Sequence, residues 1–510
     1  MVAPTKHAVS LAPDDLHNRT LIGNVHPSAW INPGPHSRYN LVVIGAGTAG
    51  LICAAASAGL GAKVALIEAE LMGGDCLNVG CVPSKAIIRS ARVVADANKA
   101  GFYGLGVHDA IHADFAAVMD RMRLLRAAFS VKDSAARYRD LGVDVFIGEG
   151  RFEGPESIRV NGKILCFSRA VIATGTRAAP VQIPGLADAG YLTNETIFSL
   201  TALPKRLLVI GAGPIGCELA QAFTRFGAKV YLLEAESGIL PHEDRDAAEI
   251  VRTAMVRDGI DLVEGCKIHS VTSRGNEKVV RLECAGQSRE IPCDEILVAA
   301  GRVPALESLN LEVAGVEYDR RTGVKVNDKL RTSNRRVFAA GDICSKYKFT
   351  HMADAMARIV IRNALFFGRD RFSALTIPWC TYTDPEIAHV GLYEHEAREQ
   401  GLKVKTFIQP LNDVDRAVLD GEAEGFVKVL VREGTDKILG ATVVASHAGE
   451  MISEITLAMV GGLGVSTFSR TIHPYPTQAE AIRKIGDAYN RTRLTPLVSW
   501  IFRKLLAWRR

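Results

Sequence analysis

A chain of 510 residues with 48% apolar and 23% charged side chains has the length of about three domains and the composition of an ordinary globular protein. Its formal charge of +5 comes partly from the last twenty residues, so the body offers no reason to expect a nucleic-acid partner. No apolar run in the body approaches the roughly 20 residues of a membrane-spanning helix, and ten cysteines, most of them scattered singly, suit an intracellular protein better than a disulfide-stapled secreted one.

Residues 1–38 carry Pro, Asn and His without an apolar core, which excludes a signal peptide and predicts an arm or extended cap. Organised sequence begins at YNLVVIGAGTAGLICAAASAGLGAKVALIEAE (39–70), which returns as KRLLVIGAGPIGCELAQAFTRFGAKVYLLEAE (205–236). Each copy reads strand, GxGxxG, helix, GAKV, strand and acid. Gly45, Gly47 and Gly50 correspond to Gly211, Gly213 and Gly216, and Glu68 and Glu234 each lie 23 residues beyond the first glycine of their set. The glycines let backbone approach a pyrophosphate, the helix N-terminus supplies amide hydrogens, and the acid accepts from a ribose hydroxyl. Two copies imply two dinucleotides. The alternative, tight turns of an α/β sheet with nothing bound, fits two copies this complete poorly.

The first copy runs into GGDCLNVGCVPSK (73–85), with Cys76 and Cys81 separated by four residues. Zinc would need a second ligand pair, and the sequence has no CxxC or clustered His/Cys partner, so no metal site is expected. A purely structural disulfide across so short a loop would contribute only about 2 kcal/mol. Two incidental core cysteines remain the bland alternative. A redox pair explains more: Pro83 suits a first helical turn and SKAIIRSARVVADANKA has helical apolar spacing, placing Cys81 just ahead of a helix N-terminus. The positive helix end and Lys85 both favour a thiolate.

A flavin on the first unit beside the cysteine pair, with a nicotinamide on the second, makes a continuous electron path. After Glu234 the run AESGILPHED contains no basic residue before Arg245, so a 2′-phosphate would meet carboxylates; NADH is expected over NADPH. The competing reading is that Glu234 and Glu236 merely end a strand in solvent.

These motifs make the chain resemble, over about residues 39–490, the class I flavoprotein disulfide reductases, which include dihydrolipoamide dehydrogenase, glutathione reductase and mercuric reductase. GGDCLNVGCVPSK is similar to their active-site segment, with Asp75 in place of the usual threonine at a local flavin contact. VIATGT (171–176), with Thr174 and Gly175, and VFAAGDI (337–343) resemble their later flavin-binding turns, Asp342 standing where the ribitol chain is held. AAGRVP (299–304), with Gly301, resembles the segment that returns from the nicotinamide domain. Glu218 stands where an acid pairs with the active-site lysine, here Lys85, and TYTDPEIAHVGLYEHEA (381–397) resembles the start of the dimer-forming domain.

The resemblance implies an α/β fold with two Rossmann-like dinucleotide-binding domains and a C-terminal α+β dimerisation domain. The expected ranges are an arm at 1–38, FAD-binding parts at 39–185 and 304–370, an NAD-binding domain at 186–303, a dimerisation domain at 371–490 and a basic amphipathic tail at 491–510. It further implies a cytoplasmic homodimer in which electrons pass from NADH through FAD to Cys81, with Cys76 facing the acceptor.

At TIHPYPTQAEA (471–481) the family's dithiol-handling members carry His-Pro-Thr, with a glutamate five residues after the histidine. Aligning Pro476, Thr477 and Glu480 puts Tyr475 at the histidine position, with His473 two residues upstream. A phenol with a pKa near about 10 is a poor proton shuttle at neutral pH, which argues for slow exchange with small dithiols. Mercuric reductases also carry tyrosine here, and the chain resembles the mercuric-reductase-like branch most, although the paired cysteines near the mercuric reductase C-terminus are missing. The expected acceptors are a soft metal ion, a quinone or a protein thiol. The alternatives are a dihydrolipoamide dehydrogenase-type enzyme and an NADH-sensing flavoprotein docked on a membrane partner.

In the tail, Thr495-Pro496 predicts a helix start, and Val498, Ile501, Phe502, Leu505 and Trp508 recur at helical spacing between basic residues. Residues 495–510 are too short to span a bilayer. They either lie in an anionic membrane surface or pack on the dimer.

Overall fold

The computed structural model describes residues 9–106, 111–275 and 277–510. The first eight residues of the expected arm lie outside that set. By contact density the chain forms two units, one of Met1–Ala235 with Asp261–Leu375 and one of Glu236–Ile260 with Thr376–Arg510.

The first unit is built on a seven-stranded sheet. Tyr39–Ile44 pairs in parallel with Val64–Glu68 and with Lys163–Ile172; Val143–Ile147 and Val337–Ala339 extend the parallel part. Gly150–Gly154 and Ser157–Val160 add an antiparallel edge. Leu41, Val42 and Val43 are fully buried on successive positions, the pattern of a parallel strand covered on both faces. A second, four-stranded parallel sheet has Arg206–Ile210 between Lys229–Glu234 and Glu295–Val298, with Asp261–Glu264 outside. The two copies of the sequence repeat thus supply the central strands of both parallel sheets.

Next in sequence lies an antiparallel sheet of Cys266–Arg274, Glu277–Cys284 and Gln287–Cys293. Here two of the cysteines outside the redox segment, for which the sequence suggested no partner, are found paired. The strand register sets Cys266 opposite Cys284, and at a Cα separation of 4.5 Å they form a disulfide. Cross-strand opposition, invisible in an 18-residue separation, made the pair.

The described part of the expected arm includes a helix. Leu16–Val25 is a helix whose N-cap, Asp15, accepts from the Asn18 amide, and Leu21 and Val25 are fully buried. Beyond it, Trp30 Nε1 donates to the Val145 carbonyl at 3.1 Å and Asn32 exchanges two hydrogen bonds with Ile147. The arm therefore satisfies the outer edge of Val143–Ile147, an edge that would otherwise offer unpaired backbone groups.

The second unit is a five-stranded antiparallel sheet in the order Pro378–Thr381, Glu386–Gly391, Ile438–Ala445, Phe426–Arg432, Val404–Pro410. The helix Ala448–Val460 packs on it, as does Arg245–Arg257, a helix that lies in sequence inside the 186–303 range. Glu243, just ahead of that helix, accepts from Trp379 Nε1 at 2.9 Å and from the Tyr393 hydroxyl at 2.7 Å, which ties the segment to this sheet. Among the described residues no helix is long and apolar enough to cross a membrane.

Candidate active site

Both glycine-rich turns have the geometry their sequences require. Gly45 and Gly211 have φ of +97° and +102°, and a Cβ on either would lie 2.4 Å from Ala173 O or 2.8 Å from Ala299 O. Gly50 and Gly216 would clash at 1.8 and 1.9 Å with the carbonyls of Gly45 and Gly211, so only glycine lets each helix start against its strand. The middle glycines differ. A Cβ on Gly213 would meet nothing within 4 Å, and one on Gly47 only Gly74 Cα at 3.8 Å. Those positions leave open space at the starts of Thr48–Gly59 and Pro214–Arg225, helices with no side-chain cap. Uncapped amides facing open space are an anion cradle.

The terminal acids are held alike. Glu68 accepts from the Ala46 amide at 2.6 Å and the Glu70 amide at 2.8 Å, while Glu234 accepts from the Ala212 amide at 2.8 Å. Burial raises the Glu68 carboxyl above its ordinary value, opposed by those amides. Asp342 follows Val337–Ala339 and accepts from Thr176 Oγ1 at 3.2 Å; burial raises it too, with Arg302 opposing. Thr174 Oγ1 donates to the Ala305 carbonyl at 2.8 Å, and Gly175 and Gly301 take φ of +68° and +110°. The residues present therefore fit two dinucleotides.

The cysteine loop sits on the first of these turns. A Cβ on Gly74 would lie 2.7 Å from Gly47 Cα, and one on Gly80 2.7 Å from Asp75 O, so the loop folds closely on the turn and on itself. Cys76 belongs to the short helix Gly74–Asn78. Cys81 is the first residue of Cys81–Asn98, one step further into the helix than Pro83 suggested. The Cys81 thiol is drawn down to about 6, chiefly by the hydrogen bond from Cys76, with Thr350 and Lys85 helping and burial opposing. Cys76 is pushed up by the same pairing and by burial.

Lys85, one helical turn beyond Cys81, donates to Glu218 Oε2 at 2.8 Å. Glu218 lies on Pro214–Arg225, so this ion pair joins the redox helix to the helix of the second dinucleotide turn. Three further residues of this site went unpredicted. Thr350 Oγ1 lies 3.3 Å from Cys81 Sγ. Arg302, mostly buried, pairs with Asp75, the residue in the threonine's place, and donates to Thr176 Oγ1 at 2.8 Å. Asp133, raised by burial, acts on Cys76.

Tyr475, His473 and Glu480 lie in the second unit and form no single cluster. The Tyr475 ring is largely exposed, its hydroxyl donating to Asp415 Oδ2 at 2.8 Å. The hydrogen bond to that carboxylate raises the phenol above its ordinary value. Glu480 is ion-paired to Arg483 at 2.7 Å, whereas His473 Nε2 meets Glu454 Oε1 at 3.0 Å. Among the described residues no His, Cys, Asp and Glu cluster could hold a metal ion.

Residues 39–357 match the family model described as pyridine nucleotide-disulphide oxidoreductase, and residues 377–485 match the dimerisation domain of the same family, which supports a homodimer. A mercuric reductase of Bacillus cereus is 36% identical over 87% of this chain and 70% of its own length. A dihydrolipoyl dehydrogenase of Thermus scotoductus is 36% identical over 89% of this chain and 98% of its own. Among solved structures, the Cu(II) complex of the HOCl-induced flavoprotein disulfide reductase RclA from Escherichia coli superposes with a TM-score of 0.79 at 28% identity, covering 89% of this chain and all of that one. LpdA from Mycobacterium tuberculosis does so at 0.80 and 27%, with the same coverage. Members of this family bind FAD and use NAD(P)H, two dinucleotides that the two cradles here fit. The chain belongs to the class I pyridine nucleotide-disulphide oxidoreductases.

Proposed function

We propose that the protein is a cytoplasmic, NADH-dependent FAD oxidoreductase of the mercuric-reductase-like kind that reduces a soft metal ion, a quinone or a protein thiol. The observation that carries this reading is the lowered Cys81 thiol at a helix start, packed on the first dinucleotide turn and joined through Lys85–Glu218 to the second. In this reading Gly45, Gly47, Gly50, Glu68, Thr174, Gly175 and Asp342 hold FAD, and Gly211, Gly213, Gly216, Glu234 and Gly301 hold NADH. Bound FAD supplies a two-electron relay between the nicotinamide and the disulfide.

The chain's own residues do the rest. The Lys85 ammonium, fixed by Glu218, and the Thr350 hydroxyl stabilise negative charge on Cys81 Sγ as the disulfide opens. Cys76, held protonated beside it, is the thiol presented to the acceptor. A soft metal ion is taken by the thiolate directly, and neither it nor a quinone requires an imidazole to protonate a leaving thiol. Arg245 supports NADH over NADPH: its guanidinium is committed to the carbonyls of Ile239, Leu240 and Glu243.

A second reading, dihydrolipoamide dehydrogenase-type exchange, is favoured by one observation. The His473–Glu454 pair is an oriented imidazole two residues from the expected position. Anaerobic reduction by NADH, followed by mercuric, cupric, quinone, lipoamide and glutathione disulfide acceptors in turn, separates the readings. Turnover confined to lipoamide would overturn the first.

A further inference from the structure

The tail is a helix that no described residue buries. Thr495 caps Pro496–Trp508, its side chain accepting from the Val498 amide at 3.3 Å, and none of the helix's residues is buried. At 100° per residue, Leu497, Trp508, Ile501, Leu505, Val498, Phe502 and Leu506 cover about half the circumference. Ser499, Arg503, Ala507, Trp500 and Lys504 occupy the other half, where Arg503 donates to the Ser499 carbonyl and the Lys504 ammonium lies over the Trp500 ring, 5.9 Å from its centroid. Tryptophan 508 is 82% exposed and Leu497 66%. An apolar face of that size left in water is an interaction surface.

We infer that Pro496–Trp508 docks in the plane of an anionic membrane surface. Charge decides between the occupants. Residues 491–510 carry six basic side chains, Arg491, Arg493, Arg503, Lys504, Arg509 and Arg510, and no acid follows Asp487. A second copy of a chain with formal charge +5 offers no net attraction to them, and the matched dimerisation domain ends at residue 485, before the tail begins. A helix of 13 residues is about 20 Å long, short of the roughly 30 Å hydrocarbon core, so it lies in the interface instead of crossing. Basic residues then face lipid phosphates while Ile501, Phe502, Leu505 and Trp508 enter the acyl boundary. The inference goes beyond the proposed oxidoreductase chemistry and does not depend on it.

The test is flotation of the full-length holoenzyme with vesicles of phosphatidylglycerol and phosphatidylcholine against vesicles of phosphatidylcholine alone. The full chain is expected to bind the anionic vesicles at least tenfold more strongly, with binding weakened at high salt and Trp fluorescence shifted to the blue. A chain ending at residue 494 and the double variant Ile501→Glu/Leu505→Glu should both lose binding, while NADH oxidation shows that the body remains folded. Equal binding by full and shortened chains would overturn the inference. So would absence of vesicle binding together with a lower oligomeric state on truncation, which would assign the helix to a second copy of the chain.

Discussion

Arg126 Nη2 donates to the side-chain oxygen of Asn18 at 2.6 Å across 108 residues of sequence. Its other terminal nitrogen donates to the Asn78 carbonyl at 2.8 Å, and the Asn78 amide group in turn donates to the carbonyls of Met72 and Gly74. The Met72 amide closes the circuit on the Val25 carbonyl. The N-terminal arm is thereby wired to the loop that carries Cys76. Burial, then the neighbouring Arg123, lowers the Arg126 guanidinium to about 10, so its retention there depends on these oxygen partners.

Replacing Arg126 by methionine should therefore loosen the redox loop before it touches any chemistry. Two buried oxygens lose their donor, a loss of about 1–3 kcal/mol for each unpaired group. Hydrogen exchange at residues 72–80 should accelerate together with exchange in Leu16–Val25. Asn18→Ala should give a smaller effect of the same kind. Unchanged protection in both segments would show that arm and loop are independent.

For the cysteines, two-electron reduction with FAD bound should produce the long-wavelength absorption of a thiolate beside an oxidised flavin. Cys81→Ser should abolish it. Cys76→Ser should keep the absorption while removing acceptor turnover. Full acceptor reduction by the double variant would exclude the pair as the redox centre.

The same thiol sets a pH dependence. The Cys81 value is lowered from 9.0 to about 6, so the reduced protein gains stability that is fully present above about 9 and is lost as pH falls through 6. The thiolate absorption should fade over the acid end of that window. Since the Cys76 hydrogen bond is the largest cause, Cys76→Ala, which removes the donor, should move the midpoint upward, and Thr350→Val should move it less. An unmoved midpoint in both variants would contradict the assigned causes.

Glu234 and the committed Arg245 set the expectation for the nicotinamide site. Turnover efficiency with NADH should exceed that with NADPH by more than about tenfold, equivalent to roughly 1.4 kcal/mol. A preference for NADPH would mean that the acid ending Lys229–Glu234 does not face the ribose.

Features set by local spacing were legible in the sequence. Gly50 and Gly216 are demanded by contacts within their own turns, Gly45 and Gly211 by a positive φ that the same motif imposes, and the Thr495-Pro496 start is a local capping signal. Lys85 with Glu218 was found only through the family pattern, because 133 residues separate them. Thr350 and Arg126 carried no signal, and Asp75 stood out only as a departure from the family's threonine, with no sign of its pairing to Arg302. Each acts through a contact made by folding, and a single threonine or arginine has many ordinary reasons to occur. Cys266 and Cys284 were missed for a related reason: their pairing depends on strand register, which a one-residue slip would abolish.

The segment around Tyr475 gives the most discriminating experiment. Its hydroxyl is exposed and held by Asp415, and Glu480, the expected orienting acid, is shared with Arg483. Dihydrolipoamide oxidation by the unaltered protein should therefore be far slower than by a dedicated dehydrogenase, since general acid-base catalysis contributes roughly 100-fold to 10,000-fold. Tyr475→His should raise it, and Tyr475→His with Arg483→Met should raise it further by releasing Glu480 to orient the new imidazole. Metal and quinone reduction should change little in either variant, because those acceptors need no proton delivered to a leaving thiol. Rapid dihydrolipoamide oxidation by the unaltered protein, abolished by His473→Gln with metal reduction intact, would instead make His473–Glu454 the working acid-base pair and the dehydrogenase reading the correct one.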